Sequence, residues 1–190
     1  MQIFFTHSTA VIDEGAVIGN GTSIWHFSHL MKDCRIGNNC TIGQNVFIAA
    51  NVVLGNNVKV QNNVSLYDGV VCEDDVFLGP SCVFTNVINP RSAVVRKNEF
   101  KKTVIKKGAT IGANATIICG IIVNEFAFVG AGAVVTKSIP AYAIVTGNPA
   151  KQTGWISEHG MKLKFNDNGI AVCSKTADTY QLQNNTVTKL

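Results

Sequence analysis

From Ile12 to Phe84 an apolar residue recurs at every sixth position: Ile12, Ile18, Ile24, Leu30, Ile36, Ile42, Ile48, Leu54, Val60, Leu66, Cys72, Leu78 and Phe84. Two positions before the members from Ile18 onward stands a small or branched residue, in the series Ala16, Thr22, Ser28, Cys34, Cys40, Val46, Val52, Val58, Val64, Val70, Val76 and Cys82. A helix repeats every 3.6 residues and a strand every 2, so a period of six belongs to neither. It is the period of a parallel β-helix, a chain that wraps around a triangular prism. Three hexads close one coil of eighteen residues, and each side is a short strand stacked on its counterpart at roughly 4.8 Å. The first series fills the prism. The second points inward near the corners, where small or β-branched side chains fit. Gly, Asn and Asp crowd the intervening positions, as in IGNG, IGNN, LGNN and CEDD, because corners need tight or left-handed backbone.

The pattern resumes at Ile105, Ile111, Ile117, Val123, Val129 and Val135. Since 105 − 84 = 21 is not a multiple of six, residues 86–104 must leave the prism as an excursion loop and return. The prism is expected over residues 1–154. Beyond Trp155 the hexad is lost, and GIAVCSK with TYQLQNNTVTKL reads as a short hairpin in a tail, 155–190, packed outside it.

No apolar run approaches the ~18 residues of a membrane span, and MQIFFTHSTA lacks the basic and long apolar regions of a signal peptide. A cytoplasmic protein with no membrane partner is expected. Of the six cysteines, Cys34, Cys40, Cys72 and Cys82 hold inward positions and no C-x-x-C pair occurs, so they read as buried hydrophobes in a reducing compartment. The net charge of +4 is uneven: Arg91, Arg96, Lys97, Lys101, Lys102, Lys106 and Lys107 lie in or just after the loop. Nucleic acid fits this cluster poorly, because no aromatics are interleaved and the chain is only mildly basic. A solvated loop and contacts to the phosphates of a small ligand are the two remaining readings.

The motifs carry a resemblance. TIGANATIICGIIVNEFAFVGAGAVVTKSIPAYAIVTGNPAK resembles the C-terminal coils of hexapeptide-repeat acyltransferases that use acetyl-CoA. GTSIWHFSH, IGQNVFI, VQNNVSLYDGV and LGPSCVFTNVINPRS extend it to bacterial N-acetyltransferases that modify the 3-amino group of nucleotide-linked sugars for surface polysaccharide. The best-matched type acts on UDP-2-acetamido-3-amino-2,3-dideoxy-glucuronate, and a sister group acts on dTDP-3-amino-3,6-dideoxyhexoses. The resemblance implies a left-handed parallel β-helix, acetyl-CoA as cosubstrate without a metal, and a homotrimer with active sites between neighbours. It also implies direct attack by the sugar amine, with the asparagine of FTNVINP, here Asn86, orienting it; Arg91 of the basic cluster is a candidate to contact the substrate.

At the cofactor end, Ala113 and Ala131 differ by eighteen, as do Asn114 and Gly132, so small side chains should line one outer strip. Such a strip suits the narrow pantetheine arm; the alternative is that these residues only relieve crowding at a corner. Gly147, Pro149 and Lys151 of the GNPAK ending, with Lys137, flank the final turn, where the lysines could meet the phosphates of CoA. At the acceptor end, subtracting eighteen places Asn86 over Asp68 and Thr85 over Tyr67, with Asp68 a candidate to hold or deprotonate the ammonium. His26, Gln44 and Asn62 form a second column, beside Phe27, Asn45 and Asn63; these amides suit a sugar or pyrimidine, or are plain corner ladders. His26 and His29 are also candidates for a fallback base.

Two other classes fit the sequence less well. A metal hydro-lyase on the same prism needs three convergent histidines, and His7, His26, His29 and His159 lack that spacing. A non-catalytic scaffold would have no use for GAGAVV with GNPAK or for a basic loop.

Overall fold

The computed structural model describes residues 3–190. Two-residue strands rotate around a triangular prism and build three parallel sheets. The first face stacks Phe5–Thr6, Ser23–Ile24, Thr41–Ile42, Lys59–Val60, Phe77–Leu78, Thr110–Ile111, Phe128–Val129 and Ala143–Thr146. The second stacks Val11–Ile12, His29–Leu30, Phe47–Ile48, Ser65–Leu66, Val83–Phe84, Thr116–Ile117 and Val134–Val135. The third stacks Val17–Ile18, Arg35–Ile36, Val53–Leu54, Val70–Cys72, Thr103–Ile105 and Ile122–Val123. The expected register holds: Ile24 pairs Ile42, Val60 pairs Leu78 and Ile36 pairs Leu54.

Both hexad series point inward. Ile24, Leu30, Ile42, Ile48, Leu66 and Leu78 are wholly buried, and so are Cys34, Val52, Val58 and Val64. The inward hydroxyls of Thr22 and Ser28 are both satisfied. Thr22 donates to the Gly37 carbonyl at 2.9 Å and accepts the Cys40 amide at 3.0 Å. Ser28 does the same with Gly43 and Val46 at 2.7 and 3.2 Å. At the corners Asn39, Asn45, Asn57, Asn63, Asp75 and Asn114 adopt positive φ, which Asn and Asp tolerate best among residues with side chains. Along the edge between the third and first faces, each main-chain amide of Asn20, Asn38 and Asn56 donates to the side-chain oxygen one coil on, ending at Asp74 (2.8, 2.9 and 2.6 Å).

The loop leaves the prism without breaking its register. Val70 pairs Thr103 and Cys72 pairs Ile105, an offset of 33 = 18 + 15, so the excursion adds fifteen residues to one coil. Its return begins at Thr103 rather than after residue 104, because Thr103 is itself inward: buried, its amide donates to the Gly69 carbonyl at 2.9 Å, and its Oγ1 accepts from Gly120 at 3.2 Å. The loop holds one short 3-10 turn, Lys97–Glu99, where Arg96 grips Glu99 with both contacts at 2.8 Å.

The far end differs from the expected boundary at residue 154. Lys151–Ile156 runs antiparallel to Ala143–Thr146 and is followed by Lys162–Leu163, so both join the first face and the boundary falls inside a strand. The hairpin is present at Thr179–Gln183 and Thr186–Lys189, turned by Asn184 and Asn185 at positive φ. Ile170–Val172 adds a third strand to it. Fully buried Tyr180 fastens this sheet, its hydroxyl accepting the Glu158 amide at 3.1 Å, while Lys189 pairs with Glu158 and Asp178 at 2.9 and 3.0 Å. No helix among the described residues is long and apolar enough to cross a membrane.

The inward–outward alternation can be tested on one strand. Ile36→Ala removes a core residue and should cost ~2–5 kcal/mol in denaturant unfolding. Arg35→Ala, on the exposed side, should change stability by less than about 0.5 kcal/mol. Equal losses would contradict the alternation.

Candidate active site

The edge between the first and second faces carries one unbroken main-chain ladder. The amide of Asn45 donates to the His26 carbonyl (2.9 Å), Asn63 to Gln44 (3.0 Å), Ser81 to Asn62 (3.0 Å), Asn114 to Pro80 (3.0 Å) and Gly132 to Ala113 (2.8 Å). The amide column and the small-residue strip are therefore the same edge, continuous past the loop. Its lower half is polar: Gln44 N donates to Asn62 Oδ1 at 2.9 Å, and Asn45 Nδ2 donates to Asn63 Oδ1 at 3.0 Å. His26 stacks on His7 with centroids 3.5 Å apart. Its upper half, from Ala113 through Ala131 to Gly132, carries small residues apart from the exposed Asn114. Gly132 has positive φ, and a Cβ there would meet nothing within 4 Å, so it is an open backbone position. Gly112 and Gly130, one position earlier, have a packing reason instead. A Cβ on Gly112 would lie 2.5 Å from the Ala131 amide, and one on Gly130 would lie 2.8 Å from the Thr146 side chain.

The edge between the second and third faces carries the other candidates. The second-face ladder pairs Ser65 with Val83, so the coil that reaches Asn86 stacks on the coil that reaches Asp68. The two side chains do not bond each other among the described residues. Asp68 accepts Asn51 Nδ2 at 3.2 Å, and the Asn86 carbonyl accepts the Lys101 amide at 2.9 Å, which ties the loop's two ends together. Asp68, Asn51, Lys97 and Lys102 line a cleft of about 450 Å³ between the loop and the third face. Arg91 is exposed in the loop, its Nη1 donating to the Pro90 carbonyl at 3.4 Å, beside a hollow of about 340 Å³ that it shares with Arg96, Lys97 and Phe100. Tyr67 packs on Phe47, and Phe47 on His29, across the second face (6.1 and 5.8 Å). His29 Nε2 lies 3.1 Å from Asp13.

The GNPAK turn sits at the top of the second face. Val134 N donates to the Gly147 carbonyl at 3.0 Å and its carbonyl accepts Ala150 N at 2.8 Å, so the turn is docked from both sides. Gly147, Pro149 and Lys151 are exposed. Lys137, on the edge of Asn86, lines a hollow of about 200 Å³ with Ala150 and Gln152. Sequence reasoning missed Trp25, Thr41, Gly43 and Gln61, which together with His26, Gln44 and Asn62 line a groove of about 340 Å³ on the first-face side of the edge. The eighteen-residue spacing of Trp25, Gly43 and Gln61 was the signal available.

Comparison with known proteins fits this geometry. Residues 15–50 match the bacterial transferase hexapeptide (six repeats), and residues 34–68 and 102–137 match the hexapeptide repeat of succinyl-transferase. The chain is a left-handed β-helix of hexapeptide repeats. Over 74 residues it is 54% identical to a dTDP-3-amino-3,6-dideoxy-alpha-D-galactopyranose 3-N-acetyltransferase of Aneurinibacillus thermoaerophilus. That match spans 39% of this chain and 38% of the relative. The fold is similar to that of LpxA, a UDP-N-acetylglucosamine acyltransferase from Bacteroides fragilis 9343, with TM-score 0.66 and 20% identity over 80% of this chain and 61% of that one. It is also similar to PerB from Caulobacter crescentus, solved with CoA and GDP-perosamine, with TM-score 0.51 and 20% identity over 80% and 58% of the two chains. Among the described residues no group of His, Cys, Asp and Glu is placed to hold a metal.

All six cysteines of the hexapeptide-repeat chain are buried free thiols. Desolvation pushes Cys34 up to about 11 and Cys82 up to about 12, and raises Cys40 and Cys72 in the same direction. A raised thiol stays protonated at neutral pH and is not a nucleophile. Iodoacetamide at pH 7.5 should therefore leave these four unmodified in the folded protein, read by mass spectrometry of peptides. Labelling of any of them would reopen an acyl-cysteine route.

Proposed function

We propose that the protein transfers the acetyl group of acetyl-CoA to the 3-amino group of a UDP- or dTDP-linked amino sugar, making precursors of surface polysaccharide as a cytoplasmic homotrimer. The observation that carries the reading is the single edge on which a bare strip follows directly on a column of amides. The relative from Aneurinibacillus supports the acceptor class, and the complex of PerB supports the pairing of CoA with a nucleotide sugar.

Heights along the prism support the following roles. Ala113 and Ala131 lie one and two coils above Pro80, and Asn86 follows Pro80 within the same coil. Pantetheine laid along the strip, with its phosphates toward Gly147 and Lys151 and toward Lys137 of a neighbouring chain, brings its thioester down to the level of Asn86. The acceptor rises from below, past Asn62 and Gln44. Its amine lone pair attacks the thioester carbonyl carbon, a C–N bond forms, and the C–O double bond opens to an oxyanion. The oxyanion then collapses, the C–S bond breaks, and the proton lost by nitrogen ends on the CoA sulfur. Asn86 orients the amine, and holding it near the carbonyl is most of the catalysis needed. Asp68, one coil lower at roughly 5 Å, can hold the ammonium before it loses its proton. His26 and His29 lie three coils below Asn86, roughly 14 Å at 4.8 Å per coil, too far to act as its base. They are contacts for the distal part of the acceptor, with Gln44, Asn62, Asn63, Tyr67 and Arg91.

The strip and Asn86 stand on opposite edges of the second face. Six residues span at most roughly 20 Å, and a thioester on one edge does not reach an amide on the other. The second face itself exposes Val11 and Val83 (55% and 48%). A neighbour presenting its Asn86 edge to this strip closes the distance, which is the basis for the trimer.

The reading is tested by thiol release from acetyl-CoA against a panel of UDP- and dTDP-linked 3-amino sugars. At least one should be acetylated at nitrogen, and silence across the panel would contradict the assignment. Asn86→Ala should lower kcat/KM by ~2–4 kcal/mol of transition-state stabilisation with acetyl-CoA affinity nearly unchanged. In mixed trimers, Asn86→Ala chains and Ala131→Trp chains, each inactive alone, should recover part of the activity. Folded mixed trimers without activity would place both residues in one subunit's site.

A further inference from the structure

Trp25, Gly43, Gln61, Gly79, Gly112 and Gly130 occupy the first corner position of successive coils on the edge just described. Four of the six are glycine. Each of those four has a packing reason, since a Cβ would come within 2.5–2.8 Å of backbone or side-chain atoms in the next coil. Trp25 and Gln61 are the positions that carry side chains, and they bracket Gly43. Two coils separate their levels, roughly 9.6 Å at 4.8 Å per coil. Side chains above and below with none between make a slot tall enough for one flat ring.

The chemistry of the slot is specific. Its floor is an indole, 42% exposed, with Phe5 of the coil beneath at 5.4 Å and its plane nearly parallel to the His26 ring (11° between planes). Its walls are carboxamides, Gln44, Gln61 and Asn62, with the Thr41 hydroxyl, and each amide offers both a donor and an acceptor. None of its lining residues is acidic or a lysine or arginine. Lys59 stands just outside, exposed on the first face, paired with Thr41 below and Phe77 above. Going up the prism, the order is the indole of Trp25, then Gln44, then the coil that carries Gln61, Asn62 and the Lys59 ammonium together, and then the level of Pro80 and Asn86.

That order matches an extended nucleoside diphosphate sugar, so we propose that the slot over Trp25 holds the base of the acceptor, stacked on the indole and read by the carboxamides, with Lys59 meeting the diphosphate. This rests on the function proposed above and adds to it the direction of the acceptor: base toward the N-terminal coils, amino sugar toward Asn86. The imide edge of uracil or thymine presents a donor between two acceptors, which a pair of carboxamides complements. The rise from Trp25 to Pro80 is three coils, roughly 14 Å, a length that base, ribose and diphosphate span when extended.

The experiment uses free UDP, dTDP and uridine with the full-length protein, without acetyl-CoA. Trp155 is buried and Trp25 exposed, so saturable quenching of indole fluorescence by UDP or dTDP should be lost in Trp25→Ala. By calorimetry, Trp25→Ala should weaken UDP or dTDP binding by roughly five- to a hundredfold, the span of base–aromatic stacking. Trp25→Phe, which keeps a ring, should retain most of the affinity, and Gln61→Ala should lose part of it. Lys59→Ala should weaken UDP several-fold and leave uridine unchanged, since uridine has no phosphate. If UDP or dTDP binds equally well to wild type, Trp25→Ala and Gln61→Ala, the slot assignment is wrong while the proposed function stands. If no pyrimidine nucleotide binds and a plain monosaccharide quenches Trp25 instead, the slot is a carbohydrate platform and both proposals fall.

Discussion

Everything in this protein depends on the stacking of one inward apolar side chain on another, eighteen residues on. Each coil supplies three large inward residues and three small ones, and the identity of the column above and below fixes the next. Burying Ile, Leu and Val this way contributes ~1.5–3 kcal/mol per side chain, and a slip of one residue would turn each of them to solvent. Outward positions inherit the same discipline. A side chain that has no part in the core is held in a vertical file, with neighbours at a spacing of one coil.

The excursion loop shows how strictly the register is kept. It adds fifteen residues between Val70–Cys72 and Thr103–Ile105, yet the columns resume in line on all three faces. Asn114 therefore bonds Pro80 across the insertion as Ser81 bonds Asn62 below it. An edge that carries amides in its lower coils and bare backbone in its upper ones becomes a single track, on which two elongated molecules can meet end to end. The loop's own basic residues line its hollow and the cleft under it, on the side of Asp68.

The period of six made the fold, the core and the existence of the loop readable from the residues alone, since each follows from counting. The vertical neighbours of His26, Gln44, Asn62, Ala113 and Ala131 followed from the same subtraction. Three things did not. That the amide column and the bare strip share one edge required knowing that the loop is worth 15 residues rather than 21. Trp25 and Gln61 escaped notice because glycines, placed for backbone packing, hide the column they belong to. Asp68 and Asn86 were placed on one edge in consecutive coils, but their actual hydrogen-bond partners, Asn51 and Lys101, lie outside any eighteen-residue sum.

The central claim is that donor and acceptor lie along one edge of the prism and meet at the height of Asn86. A crystal structure of the assembled protein with CoA and a nucleotide-linked 3-amino sugar tests it most directly. The account predicts pantetheine running over Ala113 and Ala131, its sulfur within about one coil, roughly 5 Å, of the level of Asn86 from a neighbouring chain. CoA bound along the edge of Asp68 and Lys137, with the first edge bare, would contradict it.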